Sequence, residues 1–179
     1  MESNNLFERV MHFNKLYRER EGEQCKCCLP KYPREKVAIL TCMDTRLTLQ
    51  LEKALGLDRG DAIELKTAGN NMRGQELRSL IVAIFALKVD KIMVIGHPDC
   101  GMANLDVEIL TEKMIARGVE PKAIEELGDL KEWFETFCDS KDNVIDMVDL
   151  LKKHPLIPRD IEIAGFNFNQ DTSELIHIC

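Results

Sequence analysis

The chain has 179 residues, a formal net charge of −7, 45% hydrophobic residues and 31% charged residues. That length suffices for one ordinary buried core, and the balance is that of a globular chain rather than a disordered one. The acidic charge gives no footprint for nucleic acid and disfavours anionic membrane surfaces, no apolar run approaches the ~20 residues of a membrane span, and the polar start Met1-Glu2-Ser3-Asn4-Asn5 carries no leader pattern, so a cytoplasmic protein is expected.

Leu6, Val10, Phe13 and Tyr17 recur at helical spacing behind Asn5 and Glu8, a variant of the capping box, so a first helix is expected over 5–17. It ends in the charged run Arg18–Glu23. Its apolar stripe precedes any strand that could receive it, which predicts an arm, residues 1–35, that packs on a neighbouring subunit. Residues 24–35 read as a loop broken by Pro30 and Pro33. Cys25, Cys27 and Cys28 fall in it without a partner pair at finger-like spacing, so oxidisable surface thiols are expected there rather than a second metal. Seven cysteines in a reducing compartment read as metal ligands or small buried groups, not as a disulfide set.

The α/β domain is expected over 36–179. Val37–Cys42 is a short apolar run, read as a buried strand; 48–55 reads as a helix stopping near Gly56; Ala62–Lys66 is a second strand; and Gly69–Gly74 is a turn. Leu77, Leu80, Ile81, Ile84 and Phe85 mark an amphipathic helix, and Lys91–Gly96 is a third strand. Helices are expected over 106–117, 121–137 and 143–153, the last with Val144, Met147, Val148 and Leu151 on one face. Pro155 and Pro158 end it, and Ile161–Phe168 with Ser173–Ile178 reads as a terminal hairpin. Strands alternating with helices predict a mainly parallel sheet covered on both faces, with ligands gathered beyond its carboxyl edge.

Cys42 ends the first strand, and His97 and Cys100 follow the third, so two strands deliver metal-capable side chains to the same edge. Two thiolates and an imidazole suit zinc and leave its fourth position open. Cys42-Met43-Asp44-Thr45-Arg46 adds an acid and a base that an extended segment would point the same way. Asp99 is expected to steady the His97–Cys100 turn by bonding backbone. Gly69-Asn70-Asn71-Met72-Arg73-Gly74 lacks the Lys and Ser/Thr of a P-loop, which excludes that nucleotide site.

The segments Cys42-Met43-Asp44-Thr45-Arg46, Ala68-Gly69-Asn70 and Gly96-His97-Pro98-Asp99-Cys100-Gly101-Met102 resemble the signatures of β-class carbonic anhydrases, closest to their short archaeal and Gram-positive branch. The tail His154-Pro155-Leu156-Ile157-Pro158 is similar to that branch too. The resemblance implies a four-stranded parallel core with an antiparallel edge strand and at least a homodimer. It also implies one zinc on Cys42, His97 and Cys100, with zinc hydroxide attacking carbon dioxide to give bicarbonate. Asp44 would accept a hydrogen bond from the nucleophile, Arg46 would hold Asp44, and the Gly101 N–H would receive a substrate oxygen. Asn71 departs from the apolar residue usual after Ala-Gly-Asn, with an expected effect on the pocket. Carbonyl sulfide or carbon disulfide hydrolysis at the same site is the alternative, and a non-catalytic zinc-stabilised binding protein a third reading.

Overall fold

A computed structural model describes residues 5–21 and 29–179. Cys25, Cys27 and Cys28 lie outside the described residues. The chain divides into two compact units, Met1–Pro30 and Lys31–Cys179.

The first unit holds α1, Leu6–Glu21. Asn5 Oδ1 accepts the Phe7 N–H at 2.9 Å and starts the helix. The helix continues past the apolar stripe that closes at Tyr17 and stops at Glu21, inside the charged run expected to end it, because Arg18 to Glu21 are good helix formers. Lys15 pairs with Glu19 one turn on at 3.8 Å, and Arg18 and Arg20 complement the helix dipole. Leu6, Val10, Phe13 and Tyr17 are all exposed.

The second unit is one five-stranded sheet with strand order β2-β1-β3-β4-β5. The strands are β1 Val37–Cys42, β2 Ala62–Thr67, β3 Lys91–Gly96, β4 Glu162–Phe168 and β5 Leu175–His177. β1 pairs in parallel with β2 and with β3, and β3 with β4, while β5 runs antiparallel to β4. The expected parallel core and terminal hairpin are therefore both present. β1 is an interior strand, flanked by β2 and β3, and buried at every position, which explains its unbroken apolar run.

The helices are α2 Gln50–Ala54, α3 Leu77–Leu87, α4 Val107–Ala116, α5 Pro121–Glu125, α6 Leu130–Phe134 and α7 Ser140–Lys153. On α7, Val144, Met147, Val148 and Leu151 are buried against Leu80, Ile92 and Val94, as their spacing predicts. On α3, Leu77, Leu80 and Ile84 face the core while Phe85 stays exposed.

Three expected helices are corrected. The span 121–137 is two short helices: Gly128 sits at φ +79, and Asp129 caps a new start by accepting the Lys131 and Glu132 N–H groups. The span 48–55 shrinks to α2, because Leu49 adopts a left-handed conformation in front of it. α7 starts at Ser140 rather than 143, because the Asp139 side chain caps the N–H groups of Lys141 and Asp142.

Candidate metal centre

β1 and β3 are parallel neighbours with Thr41 opposite Ile95, so their carboxyl ends lie side by side. Cys42 closes β1, and His97 opens the turn after β3 that leads to Cys100. All three residues are buried, and a ligand atom from each lies within 4.8 Å of the other two. The Sγ atoms of Cys42 and Cys100 are 3.7 Å apart. Two sulfurs held ~2.3 Å from one tetrahedral zinc stand about 3.8 Å apart. His97 Nδ1 lies 2.9 Å from the Pro98 carbonyl, which can only accept, so this nitrogen carries the proton. His97 Nε2 is left buried without a hydrogen-bond partner. An orphaned ring nitrogen within 4.8 Å of two close sulfurs is the donor set of a zinc site.

The proton balance agrees. The Cys100 hydrogen bond pulls the Cys42 thiol down to about 4 against the cost of burial, with help from His97 and from the Gly69 and Asp44 N–H groups. Cys100 is pushed up by its bond to Cys42 and then by burial, with the Met102 and Ala103 N–H groups opposing. The two sulfurs thus share one proton, which a cation would displace. Burial works against charge on His97, but Cys42 and Asp44 outweigh it and the imidazole is raised overall.

Asp44 and Arg46 meet, though not through an extended pleat. Asp44 caps a 3-10 turn over Thr45–Leu47, and its Oδ1 accepts the Arg46 backbone N–H at 2.8 Å. The Arg46 side chain folds back onto the same carboxylate, with Nε donating at 3.1 and 3.2 Å and Nη2 at 2.8 Å. These bonds bring Asp44 down to about 2. Asp44 Oδ2 stands 4.0 Å from His97 Nε2, beside the centre. The expected partner of Asp99 is also corrected. Its carboxylate accepts from Arg46 Nη1 at 2.9 Å rather than from backbone.

Gly101 is exposed, and a Cβ added there would meet no atom within 4 Å. Asn71 is buried and spends its Nδ2 on the Glu135 carbonyl at 2.8 Å, which ties down the segment before Phe137. Gly69 is at φ +67, and a Cβ there would lie 2.6 Å from the Phe137 ring, so neither the backbone nor the space admits another residue. One contributor had not been expected. Buried Asn143 on α7 donates Nδ2 to the Gly69 carbonyl at 2.9 Å, steadying the residue whose N–H reaches the Cys42 sulfur. Its signal in the sequence is an amide on the side of α7 that otherwise carries only apolar core residues.

Among the described residues, no helix is long and apolar enough to cross a membrane. A sequence model of the carbonic anhydrase family matches residues 37–175. The crystal structure of β-carbonic anhydrase isoform I from Trichomonas vaginalis superposes with a TM-score of 0.91 at 35% identity, covering 97% of each chain. The carbonic anhydrase of Streptococcus mutans gives a TM-score of 0.83 at 32% identity, covering 99% of this chain and 100% of that one. A carbon disulfide hydrolase of Acidianus is 29% identical over 153 residues, 76% of this chain and 74% of its own.

Proposed function

The chain belongs to the β-carbonic anhydrase family, and on that premise we propose that it hydrates carbon dioxide reversibly to bicarbonate, using one zinc ion on Cys42 Sγ, His97 Nε2 and Cys100 Sγ. The observation that carries this reading is the buried, mutually close ligand set with the Asp44 carboxylate 4.0 Å from its imidazole. Bound there, zinc would supply Lewis acidity that brings the pKa of water to about 7.

The chain's own groups do the rest. Two thiolates donate charge that weakens that acidity. The N–H groups of Gly69 and Asp44 on Cys42, and of Met102 and Ala103 on Cys100, draw part of it back. Asp44 accepts a hydrogen bond from the attacking water and so turns a lone pair toward the substrate carbon. Arg46 keeps that carboxylate ionised and oriented by a charge-assisted, two-point grip. The Gly101 N–H receives a substrate oxygen, and the open space above Gly101 leaves room for that approach. The proposed setting is a cytoplasmic homodimer or larger assembly, with residues 1–35 as the packing arm and 36–179 as the catalytic domain.

One observation favours a second reading. A relative covering three quarters of the chain is named a carbon disulfide hydrolase, and carbon disulfide and carbonyl sulfide are linear molecules open to the same attack. Stopped-flow carbon dioxide hydration is measured beside sulfide release from both compounds, on one zinc-loaded sample. The proposal expects kcat/KM for carbon dioxide to exceed the others by at least about tenfold, a discrimination of ~1.4 kcal/mol. Faster sulfide release would reassign the substrate, and turnover of none of the three would leave a binding protein.

A further inference from the structure

We propose that Asp99 is a positioning residue for this reaction. It fixes the Arg46 guanidinium across the two loops that carry the metal ligands, and through Arg46 it sets where the Asp44 carboxylate points. This rests on the reading of Asp44 given above.

Arg46 and Asp44 lie in one turn, two residues apart, so a pair made of these alone could swing as a unit. The guanidinium has more donors than that pair uses. Nη1 donates to Asp99 Oδ2 at 2.9 Å, and Nη2, already on Asp44, also donates to the Asp99 backbone carbonyl at 2.9 Å. Asp99 arrives 53 residues later in sequence, between His97 and Cys100. Its two acceptors convert a local pair into a cross-link between the loop after β1 and the turn after β3.

The backbone at Asp99 is unusual in a related way. It sits at φ +53, a left-handed conformation that few residues other than Gly, Asn and Asp adopt readily. The Asp99 side chain is 83% exposed, so it adds nothing to the core, and an exposed ion pair adds little to stability. An exposed residue in left-handed backbone that grips a side chain beside the centre is explained by what it orients.

Two replacements separate the parts. Asp99→Asn keeps the left-handed backbone and a side-chain acceptor oxygen, whereas Asp99→Gly keeps the backbone and its carbonyl and removes the side-chain acceptor. Expected results are unchanged zinc content and Tm in both, kcat for carbon dioxide hydration down about fivefold in Asp99→Gly, and kcat within about twofold of wild type in Asp99→Asn. In an Arg46→Ala background, Asp99→Gly has no further effect, because the guanidinium that the Asp99 carboxylate holds is already gone. In the metal-free protein, the Arg46 Nε–H exchanges several-fold faster after Asp99→Gly, a readout independent of turnover. Equal losses of kcat in both backgrounds, or unaltered Nε–H exchange, would overturn the proposal. Wild-type turnover in Arg46→Ala alone sinks the reading of Asp44, and this proposal with it. Faster exchange without any kcat change sinks the positioning role alone.

Discussion

Asp44 has a carboxyl held at about 2, chiefly by its hydrogen bonds to Arg46, with burial opposing. The unfolded value is about 3.9. The folded value is the lower one, so the pairing contributes in full above about pH 4 and is lost as pH falls through about 2. Asp44 is therefore ionised at every working pH, and a fall in activity from pH 8 to pH 6 cannot come from its protonation. We propose that competition sets the pH dependence instead: the Asp44 carboxylate is an acceptable zinc ligand, Arg46 holds it back, and hydroxide, a better ligand than water, displaces it as pH rises. Activity is expected to be low at mildly acidic pH and to rise above neutrality. Arg46→Ala should release Asp44 toward the centre and cut turnover roughly 10–100-fold with zinc retained. Asp44→Asn should also cut turnover, because an amide is a poorer acceptor, yet it should not close the site. Zinc analysis with a pH–rate profile for each variant checks this, and wild-type turnover in Arg46→Ala would end the idea. The five residues concerned, Cys42, Asp44, Arg46, His97 and Cys100, are readable from sequence because each sits in a short motif at a strand end. The link from Arg46 to Asp99 and the support from Asn143 are not, because both depend on distances across the fold that local spacing does not encode.

Among the elements, strands and long amphipathic helices follow from local pattern, as the buried face of α7 shows. Breaks inside polar helical stretches do not. Residues 121–137 have continuous helical character, and one glycine at positive φ followed by a capping aspartate decides that two helices form. The same division produces the 134–138 segment that Asn71 fastens and that sets Phe137 against Gly69. α1 follows from pattern in its existence, while its apolar stripe is a question of assembly. Leu6, Phe7, Val10, Phe13 and Tyr17 would each gain from burial, at about 25 cal/mol per Å² of apolar surface removed from water. We propose that a second copy of the chain provides that burial. Deletion of residues 1–22 should give monomers or insoluble protein by light scattering, and a soluble, active dimer would contradict the packing.

At the scale of the molecule, the sheet order β2-β1-β3-β4-β5 is what makes a site. The chain leaves β1 toward β2 on one side and returns to β3 on the other, so the loops after β1 and β3 diverge and open a crevice at their carboxyl ends. The alternation of strands and helices predicts a parallel sheet, but the order of strands follows from which faces bury best, which no single segment specifies. The proposed reaction depends on Cys42 and Cys100 holding a metal in that crevice and on carbon dioxide being attacked there. The most direct test is stopped-flow carbon dioxide hydration with metal analysis on the same samples of wild type, Cys42→Ser and Cys100→Ser. The expected result is about one zinc per chain, by ligand count, with rapid hydration in wild type and loss of most zinc and hydration in both variants. Full zinc retention in both variants, or a fully zinc-loaded wild type that leaves carbon dioxide untouched, would contradict it.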